Sequence, residues 1–242
     1  MTKLFYRFSL IFCFFYGPVA LAQINVPQDP SLLRANQFFN ATIGDQARLY
    51  NGREYNFYFG LEGMAYFQSR LFDEKAQVVF DGVYYERIPL IFDLFKQKLI
   101  TLLPSPIIKM ELAMERVKSF TLYQHAFIHT ELTVINRDNE KVTGFFDQIY
   151  LGKTKIFVKR TKRVHETVGT QAMKKYFTDK NFFFLQLKDK IYEFNGESNF
   201  FALFGERKND LKKYLKQQKV KFRDDPEQAM VMVAAYYDKS FS

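Results

Sequence analysis

The 242-residue chain has no tryptophan, three histidines and one cysteine, and each shortage removes a class of function. A single cysteine allows neither an internal disulfide nor a thiolate zinc set. No phosphate-cradling glycine loop, dinucleotide fingerprint or kinase motif occurs, so no cofactor is implied. No serine sits in a Gly-x-Ser-x-Gly turn, and Ser119 and Ser198 read as structural. The carboxylates Asp73-Glu74, Asp138/Glu140 and Asp179 flank turns, where solvated acids are common, and do not suggest a glycosidase pair.

What is present begins with an export signal. Lys3 and Arg7 are basic, Phe8 to Tyr16 is nearly all apolar, and Ala20-Leu21-Ala22 supplies the small residues that a signal peptidase requires. The apolar stretch is shorter than the ~20 residues that a bilayer span needs and is broken by Gly17-Pro18, so no transmembrane span is expected in the mature chain. The cysteine, Cys13, lies inside the signal after the bulky Phe12, which argues against a lipoprotein. Cleavage leaves 220 residues without a thiol and lowers the net charge from +9 to +7. The expected location is the periplasm or cell surface. Expected partners are an envelope protein or an anionic envelope component, such as lipopolysaccharide or peptidoglycan carboxylates, with a lipid as a further candidate. Lys153 to Arg163 with Phe157 imitates a single-strand nucleic-acid binder, but export argues against that partner.

Residues 23–59 hold Pro27, Pro30 and the turn dipeptide Asn51-Gly52 with little sustained period, and read as a loosely ordered extension. From Gly60 the pattern is that of β-hairpins. Asp81-Gly82 separates Ala76–Phe80 from Val83–Ile88, and Leu90–Phe95 leads through Lys96-Gln97-Lys98 into Leu99–Leu103. Residues 107–120 fit a strand with a turn or a short helix. Further strands are expected at Phe127–Ile135, Val142–Tyr150 and Lys155–Lys159, then a hairpin of Asn181–Leu187 with Lys190–Phe194. Short helices follow from about 198, capped by Ser198, by Asn209, and by Asp225 with Pro226 at the first helical position. The expected fold is α+β: one domain over 60–240, mainly an antiparallel sheet of hairpins, curved or partly closed, with short C-terminal helices.

The succession of Gly60–Tyr66, the Asp81-Gly82 hairpin with Tyr84 to Leu90, Phe92-Asp93-Leu94-Phe95, Gly144 to Tyr150, the Phe183-to-Tyr192 hairpin and the helices from Asp210-Leu211 to Tyr237 resembles a family of exported proteins from Bacteroidota. The resemblance spans most of the mature chain and implies no activity and no catalytic residue.

Three constellations remain. His125, His129 and Glu131 form a candidate metal set, with His165-Glu166 as the only further donors suggested, at a spacing that matches no zinc motif. They are the residues on which an envelope hydrolase would have to rest. Lys153, Lys155, Lys159 and Arg160 are candidates for an anion-facing surface, within Lys-rich stretches at 153–163, 174–180 and 207–223; the alternative is that these lysines serve solubility. Aromatics are abundant, 24 Phe and 13 Tyr outside the signal, and most read as core. Phe92, Phe95, Phe183 and Tyr192 are candidates for lining an apolar site, which would make the protein a carrier of lipid or another hydrophobic ligand. The leading expectation is a non-enzymatic interaction module.

Overall fold

The computed structural model describes residues 31, 34, 48–103, 108–168 and 173–241. The expected signal lies outside the described residues, as does nearly all of 23–47. From residue 48 onward, twelve strands and three α-helices follow in chain order among the described residues, and the architecture is the expected α+β one, dominated by antiparallel sheet.

A small four-stranded sheet joins β1 (Arg53–Glu54), β6 (Lys109–Glu111), β5 (Lys98–Leu102) and β4 (Leu90–Asp93), in that order. The large sheet has eight strands. Its first part runs from β3 (Val83–Glu86) through β2 (Gln77–Phe80), β7 (Val117–Leu122) and β8 (His125–Val134). It continues through β9 (Glu140–Leu151), β10 (Lys155–Val168), β11 (Met173–Leu187) and β12 (Lys190–Phe194). A parallel bridge from Ile191 to Val134 bends β8–β12 into a partial ring that is not a barrel. Helices α1 (Gly196–Ala202), α2 (Lys208–Gln217) and α3 (Pro226–Ser240) close the chain.

Tight turns set the register. Asp81-Gly82 and Lys188-Asp189 both place two consecutive residues at positive φ, the conformation whose twist matches that of two adjoining strands. Tyr123-Gln124 does the same between β7 and β8, although neither residue is a usual turn former.

Burial separates four cores. The largest lies between the small sheet and β2, β3 and β7–β9, where Phe92 meets the stacked pair Phe120 and Phe127 at 5.1 and 5.5 Å. A second lies under the helices, where Phe200, Phe201, Leu211 and Val233 cover Ile156, Leu185 and Phe194. Leu132, Val134, Phe146, Phe157 and Phe184 form a third, on the opposite face of β8–β11. The fourth covers the outer face of the small sheet with Tyr55, Tyr66, Ile91 and Ile100.

Several expectations are corrected. Leu49 is 1% and Tyr55 4% exposed, so the packed domain includes at least 48–59. Of the two alternatives left open for 107–120, the strand with a turn is the one present: residues 108–120 hold a strand, a 3-10 turn at Met114–Arg116 and the start of β7, while 104–107 lie outside the described residues. Strands β10 and β11 reach well past Lys159 and begin well before Asn181, making one long hairpin. Ser198 and Asn209 sit inside their helices, which start at Gly196 and Lys208. Asp225 does cap α3, accepting from the Gln228 amide at 3.0 Å.

Candidate functional site

A buried ionic seam runs across β8, β9 and β10. Register places Asp147 opposite Phe127 on one side and Val158 on the other, so His125 and Arg160 are its diagonal neighbours, displaced in opposite directions along β9. The Asp147 carboxylate is 1% exposed. Its Oδ2 accepts from His125 Nδ1 at 2.8 Å and from Arg160 Nε at 2.6 Å. The other face of the guanidinium is gripped by Glu227 of α3 through two parallel bonds of 2.8 Å. Burial opposes the charge of Arg160, but Glu227 and Asp147 outweigh it and hold the guanidinium above its ordinary value. Asp147 Oδ1 has no partner among the described residues.

A carboxylate behind a histidine is how enzymes orient a general base. Here the working nitrogen is already engaged: His125 Nε2 lies 2.9 Å from the Gln68 amide nitrogen, a group that only donates. No hydroxyl or thiol is bonded to that nitrogen among the described residues. The seam therefore works as a tie between the sheet and α3, roofed by Phe67, whose ring meets His125 at 5.0 Å and the Arg160 guanidinium at 5.2 Å.

The candidate metal set is not brought together. His129 packs on Phe145 at 5.0 Å and Glu131 pairs with Lys141 at 2.8 Å, the lysine holding that carboxylate below its usual range. Phe127 separates His125 from His129 on their shared face, and no cluster of three metal-capable side chains exists among the described residues. The four apolar candidates are also divided. Phe92 is enclosed in the largest core, whereas Phe183 belongs to the helical one, on the same sheet face as Tyr192. The basic candidates alternate along β10: Arg160 is neutralised in the seam, and Lys159, lowered by burial, donates to the Thr143 carbonyl at 2.8 Å. Lys153 lies exposed in the β9–β10 turn, and Lys155 is half-buried.

Phe95 leads to a different surface. Asp93, wholly buried in the apolar strand β4, faces the segment that covers the small sheet. Its Oδ2 accepts from Tyr55 at 2.7 Å and Tyr58 at 2.6 Å, and its Oδ1 from the Phe95 and Lys96 amides at 2.9 Å. Burial, reinforced by hydrogen bonds to Asp93, raises both tyrosine pKa values far above the ordinary phenol range. Lys96 lies over both rings, at 4.5 and 4.8 Å. The two pinned tyrosines fix a segment whose outward residues are Phe57, 47% exposed, and Phe59, 94% exposed. Phe95, also partly exposed, packs against Tyr58 and Phe177, and Lys109 caps Phe57 at 3.9 Å. The sequence gives no sign of this clamp, because one Asp within an apolar run does not announce two tyrosines some 35 positions earlier.

No family model, curated protein or solved structure matches this chain. No helix among the described residues is long and apolar enough to cross a membrane.

Proposed function

We propose that the protein is an exported, non-enzymatic interaction module of the cell envelope, of the kind its resemblance to Bacteroidota exported proteins suggests, and that Phe57, Phe59 and Phe95 form its docking face. The observation that carries this reading is the Asp93 clamp. Burying a carboxylate is costly, and here the four bonds that compensate it hold rigid a segment that displays aromatic rings to solvent. Phe59, 94% exposed, adds almost nothing to folding, while rings fixed in advance lower the entropy cost of association. The occupant that fits is an envelope protein with an apolar pocket. The engagement of His125 Nε2 by Gln68 favours a binding role over a hydrolytic one.

The test is site-specific photo-crosslinking in the producing cell with a benzophenone side chain at position 59. One discrete adduct is expected, absent when the probe stands at Lys188 and lost when Phe57→Asp is added. Absence of any adduct specific to position 59 refutes the reading. Phe59→Asp should leave the thermal transition within about 0.5 kcal/mol of the parent, since that side chain touches almost nothing.

A further inference from the structure

Positive charge is distributed unevenly over the molecule. In the β10–β11 hairpin, Lys162 pairs with Asp179, Lys175 with Glu166 and Lys174 with Glu62, while Arg160 is held by Asp147 and Glu227. At the end of α2 several cations without carboxylates are gathered together. Lys212, Lys216, Lys219 and Lys221 have no carboxylate partner among the described residues, and Arg223 reaches only Asp224, at 3.7 Å.

The fold directs these cations to one opening. Lys219 takes a φ of 58°, and the Val220 amide donates to the Leu215 carbonyl at 3.3 Å, which turns the chain back beside α1 and α2. Segment 219–223 and the two helices then border a shallow, open groove of about 430 Å3. Five cations line it against one carboxylate, Glu197. Two have a role in the fold: Lys216 opposes the negative end of the α2 dipole, and Lys212 lies over the Phe201 ring at 5.3 Å. No such role is evident for Lys219 and Lys221, and gathering them beside the others concentrates positive charge at low salt, which a bound anion would offset. Beneath the charges, Phe201 is wholly buried and Leu215 and Phe222 nearly so, forming the packed base on which the cations stand, so the open surface of the groove is cationic.

We propose that this groove binds a phosphate-bearing ligand: a phosphomonoester or diphosphate whose charges meet Lys216, Lys219, Lys221 and Arg223. A single carboxylate leaves most of the rim unmatched, whereas a doubly charged phosphate with several acceptor oxygens answers it. A lipid headgroup and a soluble phosphorylated compound share this chemistry. The site has no residue in common with the aromatic docking face and stands without it.

Calorimetric titration of the purified protein at about 50 mM salt, where screening is modest, tests the site with two probes: dodecyl phosphate below its micellar concentration, and inorganic pyrophosphate. Saturable one-site binding is expected. Lys216→Glu with Lys219→Glu should weaken it at least ~10-fold, and Lys221→Glu alone should weaken it by a smaller factor. Lys188→Glu with Lys190→Glu, an equal charge change on the exposed β11–β12 turn, should leave it unaltered, as should Phe59→Asp. Dodecyl phosphate binding about tenfold tighter than pyrophosphate assigns the ligand to lipid headgroups, and equal affinity assigns it to soluble phosphates. No saturable binding of either probe, or equal weakening by the Lys188/Lys190 pair, overturns the proposal.

Discussion

Asp147 and Glu227 grip the same guanidinium from opposite sides, yet their surroundings make them unequal. Asp147 is sealed at 1% exposure and serves two donors, whereas the Glu227 side chain keeps 32% of its surface in water. Asp147→Ala removes the buried acceptor and leaves Arg160 and His125 under-compensated, so denaturant unfolding should report a loss of about 3–5 kcal/mol. Glu227→Ala should cost only about 1–2 kcal/mol, because water can replace the lost carboxylate. Equal costs for the two would remove Asp147 as the centre of the seam. The tyrosines set the alkaline limit. Burial and the Asp238 carboxylate push Tyr150 up to about 12, and Tyr55, Tyr58 and Tyr66 are raised as well, all principally by burial. Each folded phenol holds its proton more tightly than the unfolded one. The stabilisation is therefore complete below about pH 10 and declines as pH climbs toward the folded values, by up to ~1.4 kcal/mol per pH unit for each tyrosine. Urea unfolding between pH 8 and 11.5 should show that decline, and Tyr150→Phe should make it shallower above pH 10. An identical slope in the variant would mean that the Tyr150–Asp238 bond of 3.0 Å does not persist in solution.

Among the elements, turns account for much of what could be read in advance. Asp81-Gly82 was legible because its residues tolerate positive φ, and the β2–β3 register follows from it. Tyr123-Gln124 adopts a similar conformation without that chemistry, so the boundary between β7 and β8 was invisible. Gln124→Gly should relieve the strain and raise stability by about 0.5–1 kcal/mol; a decrease would show that Gln124 contributes contacts that outweigh it. The outer half of the β10–β11 hairpin was missed for a different reason. Its positions carry Lys, Arg, Thr and Glu on both faces, so no apolar alternation marks them, and pairing with the opposite strand holds them in place. Helix starts failed where Gly196 and Lys208 begin α1 and α2 without a side-chain cap, and succeeded at Asp225-Pro226. His125 was recognisable as a titratable group, but its partners Asp147 and Gln68 lie 22 and 57 positions away and depend on register and on a covering loop. At the β9–β10 turn, a methyl group on Gly152 would overlap Asp238 and the Tyr150 hydroxyl. Gly152→Ala should push the Asp238 carboxylate and the Tyr150 ring aside and cost about 1 kcal/mol in thermal unfolding, and a neutral result would imply that both side chains swing away without losing their bonds.

For the molecule as a whole, the order of strands in space departs from their order in the chain at only a few places. Pairings from β7 to β12 join consecutive strands, whereas β2 reaches across the inserted small sheet to β7, and β1 finds β6 more than fifty positions away. The last closure joins β8 to β12 through the Val134–Ile191 bridge, two Asn136 bonds to the Glu193 backbone at 2.7 and 3.0 Å, and the Arg137–Glu193 pair at 2.6 Å. Contacts between near neighbours form at lower entropic cost than distant ones, so the hairpins within β8–β11 and β4–β6 are the cheap contacts of this fold, and the β1–β6, β2–β7 and β8–β12 pairings the costly ones. The seam of the ring is therefore a latch, one backbone bridge reinforced by two side chains gripping Glu193: Asn136→Ala should speed amide hydrogen exchange at Ile191 and Glu193 without changing it at Phe92, and unchanged exchange would show that the bridge holds alone.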